Sequence, residues 1–313
     1  MLPQTRTIRF MSFLCAGLVF AFAILAGRNT DRVLASPAAQ GTAAANQGGL
    51  FDYDTKAPLN VTEVGSEKHG DVTVHDITFV GTRNPIKAYV VTPPGNGPFA
   101  GILFVHWLGE AATTNRTEFL TEAIGLASEG TVSVLIDTMW AKPGWYKARV
   151  PENDYANSIN QVIELRRAMD LLLSQPNIDP ARIAYVGHDF GAMYGSVMGG
   201  VDLRARSYVL MAGTPHFIDW YLYSRQPKSL DDYKKQLAVL DPTIFIKKIT
   251  NASVFFQFAN ADEYVSAASA AEFFNAANPR KMMATYNAGH DLGTKEVAAD
   301  RVQWLERELG LKK

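Results

Sequence analysis

The sequence predicts an α/β fold with a mostly parallel central sheet that helices cover on both faces. Short apolar runs at 100–105, 132–136 and 207–211 have the length and composition of strands buried on both faces. Helical segments alternate with such runs from Ala100 to the end of the chain, which is typical of parallel strands joined by crossover helices. The 313 residues suffice for one large domain of this class and a leader.

The first residues have the features of an export signal. Arg6 and Arg9 precede an uncharged run at 10–27, and a small-residue cleavage site follows at Ala35. The sequence therefore predicts an exported protein, periplasmic or secreted. The run is long for a cleaved signal and short for a membrane span, so an uncleaved anchor through residues 10–27 is the alternative.

These features divide the chain into a signal peptide or anchor at 1–35, a linker at 36–55 and the folded domain at 56–313. The mature chain would contain no cysteine, because Cys15 lies in the leader. This excludes a thiol nucleophile, a disulfide framework and a cysteine-ligated metal site. We expect no cofactor and no metal. Removal of the leader would also leave the chain mildly acidic, without a Lys/Arg cluster, which argues against a nucleic-acid partner and favours a small-molecule substrate.

The domain begins with a region of antiparallel strands between Val61 and Val91, where apolar and polar residues mostly alternate. The apolar run 100–105 follows and ends in the loop 106–109. A loop at this point can supply a backbone N–H to an oxyanion, so we expect Trp107 and Leu108 to take part in an oxyanion hole. The preceding His106 is expected to shape this loop near the pocket.

The next segments predict a helix at 117–128, a strand at 132–137 and an irregular loop at 140–150. Open α/β sheets bind ligands beyond the carboxyl ends of their strands, so Trp140 and Trp145 in this loop are candidate pocket residues. A hydrophobic lid without a role in binding is the alternative. A long helix follows, with its apolar stripe towards the sheet and polar residues outward; these include Glu164, Arg167 and Asp170.

The stretch 182–200 carries the strongest functional signal. The apolar run 183–186 predicts a buried strand, which is followed by Gly187, His188, Asp189, Phe190 and Gly191 and then by helix-forming residues. A strand-to-helix turn with glycine two places on either side of a polar residue is the pattern of a nucleophile elbow. The pattern makes Asp189 a candidate nucleophile and the Phe190 N–H an oxyanion donor. A helix cap formed by Asp189 is the alternative.

Two further candidates follow later strands. Residues 214–248 predict an insertion that contains a helix and a candidate pocket residue, Tyr221. The strand 253–258 leads to Asp262, and the strand 281–286 leads to His290. Asp189, Asp262 and His290 thus occur in the order nucleophile, acid and histidine after three strands, which is the order of an α/β-hydrolase triad. Each residue alone also suits a cap or a loop position.

On these motifs the sequence resembles the α/β-hydrolase superfamily and, within it, the dienelactone-hydrolase-like branch. The resemblance spans Val61 to the C-terminus. Four segments carry it: the loop His106-Trp-Leu-Gly109, the elbow Gly187-His-Asp-Phe-Gly191, Ala261-Asp-Glu-Tyr-Val265 and Ala288-Gly-His-Asp-Leu292. It implies an Asp189, Asp262 and His290 triad and a short insertion before the strand that bears the acid. The elbow differs from that branch, which has Cys or Ser there. An Asp in this elbow resembles epoxide hydrolases and haloalkane dehalogenases.

A carboxylate needs no base to activate it, because it is ionised near neutral pH. Attack by Asp189 on a carbon that bears a halide or an epoxide oxygen would give an alkyl ester, and His290 would then activate water to hydrolyse this ester. The sequence therefore predicts a hydrolase acting on an epoxide or an alkyl halide. A dienelactone-hydrolase-like ester or lactone hydrolase is one alternative, and a non-catalytic binding protein on the same fold is another.

Overall fold

Nine strands form one sheet in the part of the chain that the structure, a computed structural model, describes: residues 49–82, 84–110, 114–223 and 225–311. Across the sheet the strands lie in the order β1-β2-β3-β5-β4-β6-β7-β8-β9. Their bounds are β1 Thr62–His69, β2 Val72–Val80, β3 Pro85–Thr92, β4 Phe99–Val105, β5 Thr131–Ile136, β6 Ile178–His188, β7 Ser207–Met211, β8 Ser253–Ala259 and β9 Lys281–Tyr286.

Nine α-helices and two short 3₁₀ turns connect these strands within the described ranges. The helices are α1 Leu120–Ala127, α2 Trp145–Ala148, α3 Asp154–Leu173, α4 Phe190–Val201, α5 Phe217–Tyr221, α6 Leu230–Ala238, α7 Pro242–Ile246, α8 Ala267–Ala276 and α9 Lys295–Leu309.

The first three strands pair antiparallel, and β3 also pairs antiparallel with β5. The strands from β4 to β9 pair parallel with one another, so the sheet is mostly parallel, as the sequence predicted. Every residue of β4, β5, β7 and β8 is buried, because helices cover both faces of these strands. One apolar cluster contains residues of α3 and α4, and the other contains residues of α1 and α9. The predicted fold class is confirmed.

Several elements differ in detail from the prediction. Helix α1 begins three residues later than predicted, the loop 140–150 contains helix α2, and the insertion 214–248 contains three helices instead of one. The prediction that Arg167 points outward is wrong. Its side chain is buried, and its guanidinium donates to the carbonyl oxygens of Ala57, Pro58 and Val80. These carbonyls satisfy the guanidinium on the inner side of α3.

The predicted signal peptide or anchor at 1–35, with its apolar run 10–27, lies outside the described residues. The predicted linker at 36–55 is described from residue 49 onward, and this part packs on the domain. Phe51 is buried against Phe245, and the Tyr53 hydroxyl donates to the Asp170 carboxylate. The packed domain therefore begins before residue 56. Among the described residues, no helix has the length and apolar character needed to cross a membrane.

Candidate active site

The turn between β6 and α4 has the geometry of a sharp strand-to-helix elbow. Asp189 connects the two elements with φ 54° and ψ −114°, a strained conformation for a residue with a Cβ. A Cβ at Gly187 would lie 2.4 Å from the carbonyl oxygen of Gly191, and a Cβ at Gly191 would lie 2.4 Å from that of Val105. Only glycine allows the helix to approach the strands this closely, and this approach fixes the position of Asp189.

The carboxylate of Asp189 is fully buried and has two unlike oxygens. Oδ2 accepts a hydrogen bond of 3.0 Å from the backbone N–H of Leu108, and the Phe190 N–H also interacts with the carboxylate. Oδ1 has no hydrogen-bond partner among the described residues. The side chain does not cap α4, so the alternative role as a helix cap is not found. One oxygen is held and the other is unengaged.

Burial raises the pKa of Asp189 to about 6, because desolvation disfavours the ionised form. The positive charge of His290, the N–H of Leu108 and the charge of His188 oppose this rise. At neutral pH the group is therefore ionised, although its environment is apolar.

His290 and Asp262 form the second part of the site. His290 Nδ1 lies 2.9 Å from Asp262 Oδ2, and the Asp262 side chain is fully buried. Asp262 Oδ1 accepts the backbone N–H groups of Tyr264 and Val265, so the carboxylate is oriented by its own turn. The neighbouring Glu263 does not take this position.

The Nε2 atom of His290 is buried and has no hydrogen-bond partner among the described residues. Burial opposes protonation of the ring, but the hydrogen bond to Asp262 and the negative charge of Asp189 outweigh it, so the pKa of His290 is raised. Burial alone would raise the pKa of Asp262, but the same hydrogen bond and the two backbone N–H groups of Tyr264 and Val265 outweigh it and lower this pKa. The structure thus places His290 and Asp262 in a hydrogen-bonded pair that lies close enough to Asp189 for their charges to interact. His290 Nε2 remains without a hydrogen-bond partner among the described residues.

Of the three predicted oxyanion donors, two face Asp189 and one does not. Leu108 and Phe190 direct their N–H groups to the carboxylate. The N–H of Trp107 instead donates to Glu118 Oε2 at 2.8 Å. The prediction for Trp107 is therefore wrong, because this N–H is already satisfied on the other side of the loop.

A cavity of about 330 Å³ lies beside His290. Most of the side chains that line it are aromatic. The lining residues are Trp107, Leu108, Gly109, Glu110, Tyr146, Trp220, Tyr223, Tyr264 and His290. The rings of Trp220 and Tyr264 lie 5.3 Å and 5.1 Å from the His290 ring, centroid to centroid. A small and largely apolar molecule suits these walls.

None of the four predicted pocket residues lines this cavity. His106 is buried and contacts the carbonyl oxygen of Trp107 and the Thr138 hydroxyl, so it shapes the loop. Trp140 is buried and donates its indole N–H to the His106 carbonyl. Trp145 lines a separate cleft next to Met139. The Tyr221 hydroxyl is buried at 2.6 Å from that of Tyr194. Aromatic composition alone does not separate a wall residue from a core residue.

The polar groups behind the pocket belong to a buried network. Arg149 and Tyr233 both donate to the Asp154 carboxylate, and Arg149 also donates to the carbonyl oxygen of Tyr221. These bonds hold the insertion against α3. Elsewhere, no group of three or more His, Cys, Asp or Glu side chains within the described ranges is arranged to hold a metal ion.

No family model matches the chain, and no curated protein matches it. Solved structures do match. An acetyl xylan esterase from Paenibacillus sp. R4 has a TM-score of 0.66 and 17% identity over 80% of this chain and 89% of its own. The acetyl xylan esterase 1 of a Thermoanaerobacterium species has a TM-score of 0.68 and 14% identity over 83% and 90%.

A third match is a Klebsiella pneumoniae protein assigned as a dienelactone hydrolase, with a TM-score of 0.57 and 14% identity over 77% of this chain and 99% of that one. The chain has the α/β-hydrolase fold. A protein assigned as a dienelactone hydrolase is thus among the proteins that share this fold. At identities of 14–17% this likeness shows the fold alone.

Sequence reasoning missed several residues of the site. Trp220 and Tyr264 line the cavity, and His188 and Glu118 are bonded to each other directly behind it. His188 is next to the candidate nucleophile in the chain, and that adjacency was the available signal. Nothing in the local pattern of Glu118 indicates its partners, which are 11 and 70 residues away.

Proposed function

We propose that the protein is a hydrolase that cleaves its substrate through a covalent ester on Asp189. The observation that carries this proposal is the state of the carboxylate, in which Oδ2 is held by the Leu108 N–H while Oδ1 is unengaged. His290, oriented by Asp262, hydrolyses the ester. This arrangement gives each residue one step.

In the first step Asp189 Oδ1 attacks an sp³ carbon of the substrate. The new Oδ1–C bond forms as the bond from that carbon to the leaving group breaks, and the leaving group takes the electron pair. A halide departs as the anion, whereas an epoxide oxygen stays attached to the adjacent carbon and takes a proton from solvent. Ionisation at neutral pH supports this role, because the carboxylate needs no proton acceptor. The N–H of Leu108 fixes Oδ2 and leaves Oδ1 as the attacking oxygen.

In the second step His290 Nε2 takes a proton from a water molecule, and the resulting hydroxide attacks Cγ of the Asp189 ester. The negative charge that develops on Oδ2 is stabilised by the N–H of Leu108, which already binds this oxygen, and by the N–H of Phe190, which interacts with the carboxylate. Collapse of this intermediate breaks the bond between Cγ and the alkyl oxygen. The released alkoxide takes the proton from His290 and becomes the alcohol. The carboxylic acid left at Asp189 then loses its proton to solvent, which restores the carboxylate.

The substrate class that suits this route is a small molecule with an electrophilic carbon, an epoxide or an alkyl halide. The aromatic cavity of about 330 Å³ is compatible with such a molecule. Tyr221 and Tyr233 cannot assist an epoxide oxygen, since both hydroxyls are bonded in the buried network. Three tyrosines line the cavity. Tyr146 donates to the Trp220 carbonyl and Tyr264 is hydrogen-bonded to Glu263, so Tyr223 is the candidate donor to a leaving group.

Hydrolysis of a carboxylic ester or lactone is the second candidate, and the comparisons favour it over the first. The solved neighbours are acetyl xylan esterases and a protein assigned as a dienelactone hydrolase. The geometry of the elbow disfavours ester or lactone hydrolysis. A substrate carbonyl would need the Leu108 N–H that Asp189 now occupies, and attack by a carboxylate on that carbonyl would give an anhydride. We therefore place carbon electrophiles first.

The test is to trap the intermediate in a His290→Gln variant. This variant should form the ester but fail to hydrolyse it. We expect intact-mass and peptide measurements to find an adduct on Asp189 with one member of a panel of epoxides, alkyl halides, aryl esters and lactones. A single turnover of the wild type in ¹⁸O-labelled water should give initially unlabelled product and put the label in Asp189. Immediate label in the product would contradict the covalent route. If the protein gave no adduct and no turnover with any member of the panel, a non-catalytic binding protein would be favoured.

We also propose that the mature protein is exported. Arg6 and Arg9 before the apolar run 10–27 support this proposal. Sequencing the N-terminus of the protein recovered from its cell should find a start after Ala35. An intact Met1 in soluble cytoplasmic protein would contradict export, and an intact Met1 in the membrane fraction would favour the anchor.

A further inference from the structure

The histidine that precedes Asp189 lies behind the site and faces away from the cavity. The His188 side chain is completely buried. Its Nδ1 lies 2.7 Å from Glu118 Oε1, and its Nε2 lies 3.0 Å from the carbonyl oxygen of His290. Its ring stacks on Trp107 at 5.2 Å, centroid to centroid. The position is therefore fixed on three sides.

The two hydrogen-bond partners of His188 determine how many protons the ring carries. A carboxylate oxygen and a carbonyl oxygen only accept hydrogen bonds. The Trp107 N–H bonded to Glu118 Oε2 favours the ionised form of this carboxyl. With Glu118 ionised, both contacts are hydrogen bonds only if both ring nitrogens carry hydrogen, which makes the ring an imidazolium. A neutral ring would place one nitrogen lone pair against an oxygen in a buried site, which is costly. The negative charge of Glu118 balances this buried cation.

The same carboxylate also holds the loop that binds Asp189. Glu118 Oε2 accepts the N–H of Trp107, and the next N–H, that of Leu108, binds Asp189. Through His188, Glu118 is also connected to the backbone of His290. One ion pair thus connects the oxyanion loop, the strand that carries Asp189 and the loop that carries His290.

We propose that Glu118 and His188 are positioning residues of the hydrolase site, in which a permanently protonated His188 supplies a fixed positive charge behind Asp189. The role in turnover rests on the proposed function, whereas the protonation of His188 does not. The charged and titratable groups around His188 are Glu118, Asp189, His290 and His106. Of these, Glu118 is the one bonded to the ring by its side chain. The charge of His188 opposes the rise in the Asp189 pKa that burial causes, which agrees with this role.

The first test uses the unaltered protein. Nitrogen-15 NMR of the histidine rings should find both nitrogens of His188 in the imidazolium state from pH 5.5 to pH 8. The resonance is assigned by its loss in a His188→Gln variant, or by its contacts to Trp107 if that variant does not fold. A neutral tautomer at pH 7, or a titration within this range, would overturn the proposal.

The second test removes the charge of Glu118 while keeping its shape. In a Glu118→Gln variant the side-chain amide can donate to His188 Nδ1, so the ring becomes neutral and Asp189 loses a nearby positive charge. We therefore expect the titration midpoint of the Asp189 carboxyl, followed by carbon-13 NMR, to rise by about one pH unit. The matched control is Glu122→Gln on α1, because Glu122 pairs with Arg301 and contacts none of these residues. An unchanged midpoint in Glu118→Gln, or an equal shift in the control, would overturn the proposal.

Activity separates this inference from the proposed function. If both hold, Glu118→Gln slows adduct formation on Asp189 below the new midpoint, and raising the pH to 8 restores the rate. A purely structural defect would not recover with pH. If no adduct ever forms on Asp189, the proposed function fails while the NMR results still decide the state of His188. If adducts form but His188 is neutral, only the present inference fails.

Discussion

Two histidines, His290 and His216, each follow a parallel strand and are hydrogen-bonded to a carboxylate. They differ in whether the second ring nitrogen also has a hydrogen-bond partner. His290 Nδ1 is bonded to Asp262, while its Nε2 has no partner among the described residues. His216 is bonded on both sides, at 2.8 Å to Asp241 and at 3.0 Å to Glu272. A ring whose two nitrogens both donate cannot accept a proton, whereas the His290 ring can. The unengaged nitrogen, rather than the histidine and carboxylate pair, identifies the candidate base.

The two clusters also differ in burial. The side chains of His290 and Asp262 are 6% and 0% exposed, and those of His216 and Glu272 are 34% and 54% exposed. Charges interact strongly where water is excluded and weakly where it is not. We therefore expect changes at His290 to affect chemistry and changes at His216 to affect stability by a small amount.

The largest expected difference is in turnover. His290→Gln should lower the turnover number by about 10³-fold, because it removes the group that activates water. His216→Gln should leave turnover within about twofold, because its ring is fully occupied by Asp241 and Glu272. Steady-state kinetics on a substrate identified by the trapping experiment measures both. Equal losses of turnover in the two variants would contradict the idea that the unbonded Nε2 of His290 gives it a catalytic role that His216 lacks.

The carboxylates give a second contrast. Asp262→Asn should lower turnover by about 10²-fold or more, because the amide no longer favours the Nδ1–H tautomer of His290. The amide oxygen can still accept the N–H groups of Tyr264 and Val265, so the fold should hold. Asp241→Asn should instead cost about 1–2 kcal/mol of stability, because Asp241 bonds His216 and the Phe217 N–H. Urea denaturation and kinetics on the same two preparations test this, and an inactive but fully stable Asp241→Asn would contradict it.

The sequence was sufficient for the strands and for the positions of the three triad candidates, because buried parallel strands are continuous apolar runs and the elbow needs its glycines. It was not sufficient for partners far apart in the chain. The spacing of apolar residues predicted that the Arg167 side chain faces solvent, but its guanidinium donates to three carbonyl oxygens 87 to 110 residues away in the chain. Trp107 was expected to donate to an oxyanion, but Glu118 takes its N–H. Which group satisfies a buried N–H depends on tertiary packing, and a local pattern does not encode it.

The pH dependence of Asp189 connects activity with stability. Because burial raises the pKa of Asp189 to about 6, the rate of adduct formation should rise as the pH passes through about 6. The same shift destabilises the folded state as the pH rises from about 4 to about 6, because the unfolded chain ionises more readily. Asp189→Asn should abolish turnover. Its free energy of unfolding should rise by about 2–3 kcal/mol relative to that of the wild type as the pH increases from about 4 to about 6. A stability difference that does not change with pH would contradict a buried, ionised Asp189.

The smallest expected effect is the pH dependence that His216 adds to stability. Burial disfavours the charged ring, but Asp241, Glu272 and Asp219 around it outweigh this and raise the pKa of His216 in the folded protein. A raised pKa means that the stabilisation is fully present below the unfolded value of about 6.5 and is lost as the pH rises through the folded value. Because the ring is one-third exposed, we expect less than about 1 kcal/mol.

Urea denaturation at pH 5.5 and pH 8.5 measures this effect. The wild type should lose more stability than His216→Gln over this interval, and the two proteins should converge at the higher pH. His69→Gln, on the exposed strand β1, controls for the loss of a histidine as such. If His216→Gln and the wild type differ equally at both values, the contacts of His216 do not depend on its charge. The ring would then be a neutral packing group, and the contrast with His290 would rest on the unengaged nitrogen alone.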